Sequence, residues 1–177
     1  MTPTHRDDAY AHFVPILMEG RRLPDLGRGT PDESARSLLA SATVESLFAG
    51  RAIHDRDMAR CCLAGLWLHH DFLDESHQIS QEIETPTGSY WHGIMHRREP
   101  DPSNAKYWFR RVGSHPVIQQ LVSQAPSVGY AYRDALEFVD WCERWRGSGS
   151  AEQEIAKKVQ LLEMQLLFAW CLEKAVL

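Results

Sequence analysis

Residues 71–115 read DFLDESHQISQEIETPTGSYWHGIMHRREPDPSNAKYWFRRVGSH, and the Thr85-Pro86 step within them sets the architecture. Proline pushes the residue before it out of the helical region and fits the first position of a new helix. One helix therefore ends here and the next begins, with Thr85 as its N-cap. The preceding helix spans about 55–83, with an inward stripe of Ala59, Cys62/Leu63, Leu66, His70, Leu73, His77 and Ser80. The following one, about 86–99, carries Trp91, His92, Met95, His96 and Glu99 before Pro100 and Pro102 break the chain.

A tight connection favours antiparallel packing, and positions equally far from it then lie side by side. His77 falls level with His92 and His96, which are one turn apart on a single face. Asp74 precedes His77 by one turn, and Glu99 follows His96 by one turn. An imidazole and a carboxylate one turn apart on each of two facing helices is how helical bundles build metal sites. Two or three imidazoles with an open position suit zinc or iron, with Asp74 or Glu99 as ligand or general base. The pairs Arg97/Arg98 and Arg110/Arg111 are then expected to hold a small anionic substrate. A second reading stands beside this one. Inward histidines also satisfy buried carbonyls and hydroxyls, and Glu75 can pair with Arg97 or Arg98 in a purely structural network. Arg97 or Arg98 is expected to reach back toward Asp74 or Glu75.

Working outward, residues 1–29 form an irregular arm broken by Pro15, Gly20, Pro24, Gly27 and Gly29, which Phe13, Val14, Ile16, Leu17 and Leu26 would pin to the rest; its first ten residues are expected to be disordered. Residues 30–177 then read as one α-helical domain. Thr30, Pro31 and Glu33 make a capping box that starts a helix stopped at Gly50. Asp101 caps a fourth helix that Gly113 ends, and His115-Pro116 opens a short one. Residues 133–145 pack Leu136, Phe138, Val139 and Cys142, and the flexible Arg146–Ser150 linker follows. Ser150 with Gln153 caps the last helix, about 151–175, which buries Ile155, Val159, Leu162, Leu166 and Ala169. Its second half is also apolar at Leu167, Phe168, Trp170 and Cys171, which makes it either central or a homodimer interface. No period-2 run of β-branched residues occurs. The expectation is an all-α bundle of about six helices.

Composition narrows the function classes. A net charge of −5 and a pI near 6.0 give no electrostatic case for nucleic acid or a membrane surface. No apolar run reaches the roughly 20 residues of a membrane span, and the polar start of the chain is no signal peptide. Cys61, Cys62, Cys142 and Cys171 include no C-x-x-C pair and read as buried free thiols, which suits the cytoplasm.

Three resemblances bear on this stretch. His70-Asp71 is similar to the dyad of HD-domain phosphohydrolases, but His54 stands too close ahead of it and Asp71 is expected to face away from the stripe. His77 followed by H-x-x-x-H (His92, His96) is similar in order to the metal-dependent DinB-like bundles, whose pair comes later in the chain. LDESHQISQ (73–81), WHGIMHRREPD (91–101) and NAKYWFRRVGSHP (104–116) together resemble an uncharacterised family of bacterial and fungal proteins with no assigned activity. That likeness implies that His77, Trp91, His92, His96, Arg97, Arg98, Glu99, Asn104, Trp108 and Arg110 belong to one unit.

Overall fold

The computed structural model describes residues 22–177, so the expectations for the first ten residues and for Phe13, Val14, Ile16 and Leu17 lie outside the described residues. Among the described residues there are nine α-helices, one 3-10 turn and no strand. In order they are α1 (Glu33–Ser41), α2 (Val44–Leu47), α3 (Arg56–His69), α4 (Leu73–Ser80), α5 (Pro86–Arg98), α6 (Pro102–Val112), α7 (Pro116–Gln124), the 3-10 turn Ala125–Val128, α8 (Ala135–Trp145) and α9 (Ala151–Val176). The fold is all-α. The helices exceed the expected six because two long ones are each cut in two and the short piece after His115 is a full helix, Pro116–Gln124.

The first cut follows α1. Ala42 is extended, and Thr43 caps a fresh helix by accepting from the Ser46 N–H while Ser46 Oγ accepts from the Thr43 N–H. Helix α1 itself starts later than the sequence suggests. Asp32, not Thr30, is its cap, accepting from the Ser34 N–H at 3.2 Å. The Asp32 N–H donates to the His70 carbonyl at 3.0 Å, which holds the chain extended past Pro31 and delays the helix. The other expected caps form: Thr85 accepts from Gly88, Asp101 from Asn104 and Ser150 from Gln153.

The second cut separates α3 from α4 at Asp71, whose φ of 64° is the one positive value among the described non-glycine residues. Asp71 was expected to turn away from the inward stripe. It is buried instead, its carboxylate taken by the Arg98 and Arg22 guanidiniums. Left-handed backbone costs an aspartate less than most residues, and here it aims the side chain inward. Gly29 faces it so closely that a Cβ there would come within 2.6 Å of the Asp71 carboxylate.

Helix α5 is the axis of the molecule. Every residue from Thr87 to Arg98 is buried. It packs most extensively on α6, and also on α3 and α4. Gly93 permits the α6 contact, since a Cβ there would sit 3.2 Å from the Phe109 ring; Gly65 on α3 makes room for the Trp91 indole in the same way. Helix α9 closes the other side against α3, α7 and α8. Its buried stripe is Ala156, Val159, Gln160, Glu163, Met164, Leu167, Phe168, Cys171, Leu172 and Ala175. That stripe is rotated from the expected one because two polar residues, Gln160 and Glu163, face inward to meet Arg97.

Candidate metal centre

His77 comes from α4, and His92 and His96 from α5. One ligand nitrogen of each lies within 4.8 Å of the others. The ring centroids of His77 are 4.8 Å from His92 and 5.2 Å from His96, and those of His92 and His96 are 4.8 Å apart and nearly parallel. The convergence of the three follows the spacing in the sequence, although it now rests on the short α4 rather than on one long helix. Trp108 of α6 stacks on His92, at 3.9 Å between centroids and 21°.

The electrostatics keep His92 and His96 neutral. Burial first, then the neighbouring His96 and His77, lowers the His92 pKa to about 3. Burial also lowers that of His96, against an opposing pull from Glu99. Neutral imidazole is the form that binds a metal ion. His96 Nδ1 lies 3.0 Å from Glu99 Oε2, so Nδ1 donates to the carboxylate and the lone pair is left on Nε2, the arrangement found behind metal-bound histidines. Neither nitrogen of the buried His92 has a hydrogen-bond partner. A buried imidazole that satisfies nothing in the protein, set beside two more, is a donor set that fits zinc or iron. Tetrahedral metal–nitrogen bonds near 2.1 Å place ligand atoms about 3.4 Å apart. The partly exposed His77 is the ring with room to close the remaining gap.

The other expected site residues divide sharply. Glu99 belongs to the centre through His96. Trp108 forms its wall, and the Arg111 guanidinium lies 5.3 Å from the Trp108 ring. Asn104 lies on the same face of α6, exposed, with its amide donating to the Asp101 carboxylate at 2.8 Å. Arg110 is exposed roughly 200° around α6 from Trp108. Asp74 points outward to Arg28 at 2.7 Å. Arg97 and Arg98 pair with other groups than Asp74 and Glu75, and neither faces the solvent from which an anion would come. Both are fully buried. Arg97 donates to Glu163 on α9, while Arg98 donates to Asp71 and to the carbonyls of Leu68, Asp25 and Gly27. Glu75 pairs with Arg36 instead, at 3.0 Å.

One residue of the site had no signal in the sequence. Arg28, in the irregular segment ahead of α1, bridges Asp74 at 2.7 Å and Glu99 at 3.2 Å. Each carboxylate stands one turn from a histidine of the triad, so one guanidinium ties together the two helices that carry the rings. No family model, curated protein or solved structure matches this chain.

Proposed function

We propose that His77, His92 and His96 hold a divalent transition-metal ion, zinc or iron, and that the centre serves an enzyme acting on a small anionic substrate. The observation that carries this reading is His92, a buried ring with two unpartnered nitrogens, with a ligand nitrogen of each of two further imidazoles within 4.8 Å. Such an ion supplies Lewis acidity and a nucleophile from water at neutral pH. Around it Glu99 fixes the tautomer of His96, and Trp108 holds the plane of His92. Arg111, exposed above Trp108, is the cation placed to meet an anionic group; Arg110 adds charge to the same helix. Asp74, at the mouth beside His77, is the carboxylate placed to exchange protons with solvent.

Elemental analysis of protein purified without an affinity tag tests the proposal. A stoichiometric metal that disappears in a folded His92→Ala/His96→Ala variant is the expected result. Metal-free protein whose melting temperature ignores added zinc, iron and nickel would overturn it. The second reading is a non-enzymatic helical module, favoured by Arg97 and Arg98: the most basic part of the stretch is spent on structural ion pairs.

No helix among the described residues is long and apolar enough to cross a membrane. The four cysteines are buried free thiols, which supports a cytoplasmic setting within this proposal. The acidic charge balance supports a small ligand over nucleic acid. A homodimer through α9 belongs to the same reading, supported by the half-buried Leu162, Leu166 and Trp170 on its outer side.

A further inference from the structure

A well-formed cavity lies away from the histidine triad. It measures about 600 Å³ and opens where the start of α5, the α6–α7 junction, the start of α3 and the end of α9 meet. Thr87, on its wall, stands on α5 roughly 140° from His92 and roughly 180° from His96 at 100° per residue. The cavity and the triad are thus on opposite sides of one helix. Its volume is within the usual range for small-molecule sites. Met58, Val112, Trp170 and the rings of Pro86 and Pro116 give it a mainly apolar lining.

Its polar groups have a definite sense. The Val117 N–H donates to His115 Nδ1 at 3.2 Å, so Nδ1 is the acceptor and the neutral ring carries its proton on Nε2. Burial lowers the His115 pKa to about 4, which keeps the ring neutral at physiological pH. Nε2 lies 3.1 Å from Thr87 Oγ1, so it must donate, and the Thr87 oxygen accepts. The hydroxyl proton of Thr87 is then left to donate elsewhere, from a side chain that is 3% exposed and lines the cavity. Lys174 lines it too, its ammonium 4.8 Å from the Trp170 ring centroid. The same ammonium lies 3.3 Å from the carboxylate of Glu173, its neighbour in the chain. The one acidic side chain of the lining, Asp55, accepts from the Met58 N–H as the cap of α3. The N-termini of α3, α5 and α7 reach this cavity, and so do the C-terminal ends of α6 and α9, so the charged contribution comes from Lys174 rather than from the helix ends.

We infer that this cavity binds a small amphiphilic carboxylate, a medium-chain aliphatic acid or its aryl equivalent. Its carboxylate accepts from the Lys174 ammonium and the Thr87 hydroxyl, and its apolar body lies against Trp170, Met58 and Val112. The inference is independent of the metal centre.

Octanoate and 1-octanol, titrated into the full chain and followed by calorimetry and tryptophan fluorescence, test it. The expected result is saturable binding of one octanoate per chain, with octanol bound at least about tenfold more weakly, because charge-assisted hydrogen bonds are the stronger kind. Lys174→Met, a change at a partly exposed position, should weaken octanoate about tenfold and leave octanol unchanged. Thr87→Val should act in the same direction by a smaller factor. His92→Ala/His96→Ala should bind octanoate like the unmodified chain. Octanol binding as tightly as octanoate, an unaltered affinity in Lys174→Met, loss of binding in the histidine variant, or no saturable binding would each overturn the inference.

Discussion

His92 and Arg97 stand little more than a turn apart on α5, both buried, and the protein treats them in opposite ways. The Arg97 charge meets the Glu163 charge inside the core, with Gln160 alongside and the Phe138 ring 4.7 Å from the guanidinium. Arg98 is likewise met by Asp71 and by three carbonyls. The imidazoles of His92 and His96 carry no charge, and the nitrogens of His92 meet nothing. Burying a charge is tolerable only when it is paired, so the arginine side is committed to the fold. A neutral ring can be buried at far smaller cost, so the histidine side keeps lone pairs in reserve. Chemistry and scaffold are separated here by a rotation of about 140° around one helix, from His92 to Arg97.

The largest effect is expected on the arginine side. Glu163→Ala leaves the Arg97 charge uncompensated and should cost about 3–5 kcal/mol in urea denaturation. A loss under about 1 kcal/mol would mean that the pair does not hold the core. On the histidine side the sensitive quantity is metal affinity rather than stability. Glu99→Ala should weaken zinc binding about 10- to 100-fold in competition with a chelator, the usual loss when the carboxylate behind a ligating histidine is removed. If affinity stays level while the melting temperature drops sharply, Glu99 is scaffold and the two sides do not differ as described.

Acidification probes the neutral histidines beyond the triad. His69, beside the arginine cluster, has its pKa lowered from 6.5 to about 3 by burial first and then by His70, Arg22 and Arg98. Below pH 6.5 the unfolded chain takes up a proton that the folded chain refuses. Stability is therefore full above 6.5 and lost as pH falls toward 3, by up to about 1.4 kcal/mol per pH unit from this group. His115, lowered by burial to about 4, pulls the same way. A denaturation midpoint that stays flat from pH 6.5 to 4 would contradict the burial of both.

The smallest effect belongs to the bridge between the regions. Arg28→Met removes two ion pairs that are largely solvent-exposed, so stability should change by less than about 1 kcal/mol. Zinc affinity should still fall a few-fold, because Glu99 loses one of the groups that orient it. Equal affinity in the variant would remove Arg28 from the site.

The position of the triad was legible because it depends on local rules. Thr85-Pro86 fixes where α5 starts, and the i, i+4 spacing of His92 and His96 fixes a shared face. The spacing from the turn brings His77 level with them. Local rules failed at Asp71 and Thr43. Nothing in a periodic pattern shows a helix breaking to send a carboxylate inward, or a serine five residues past a helix end reciprocating a threonine cap. They failed again at Arg97, Arg98, Gln160 and Glu163, where polar residues read as surface or ligand-binding and proved to be core. The partners that make such burial possible are up to 136 residues away in the chain.

By itself, the sequence determined the helical class of the described residues, most of their helix starts and the convergence of three histidines. Each follows from neighbours within a turn or two, through capping, proline geometry and apolar periodicity. Only the tertiary structure decided which polar residues are paired in the core and which keep unpartnered lone pairs. It also decided that Arg28 reaches Asp74 and Glu99, and that three helix starts surround one apolar cavity. Those outcomes depend on distances between segments remote in the chain, where burial and pairing are settled by packing.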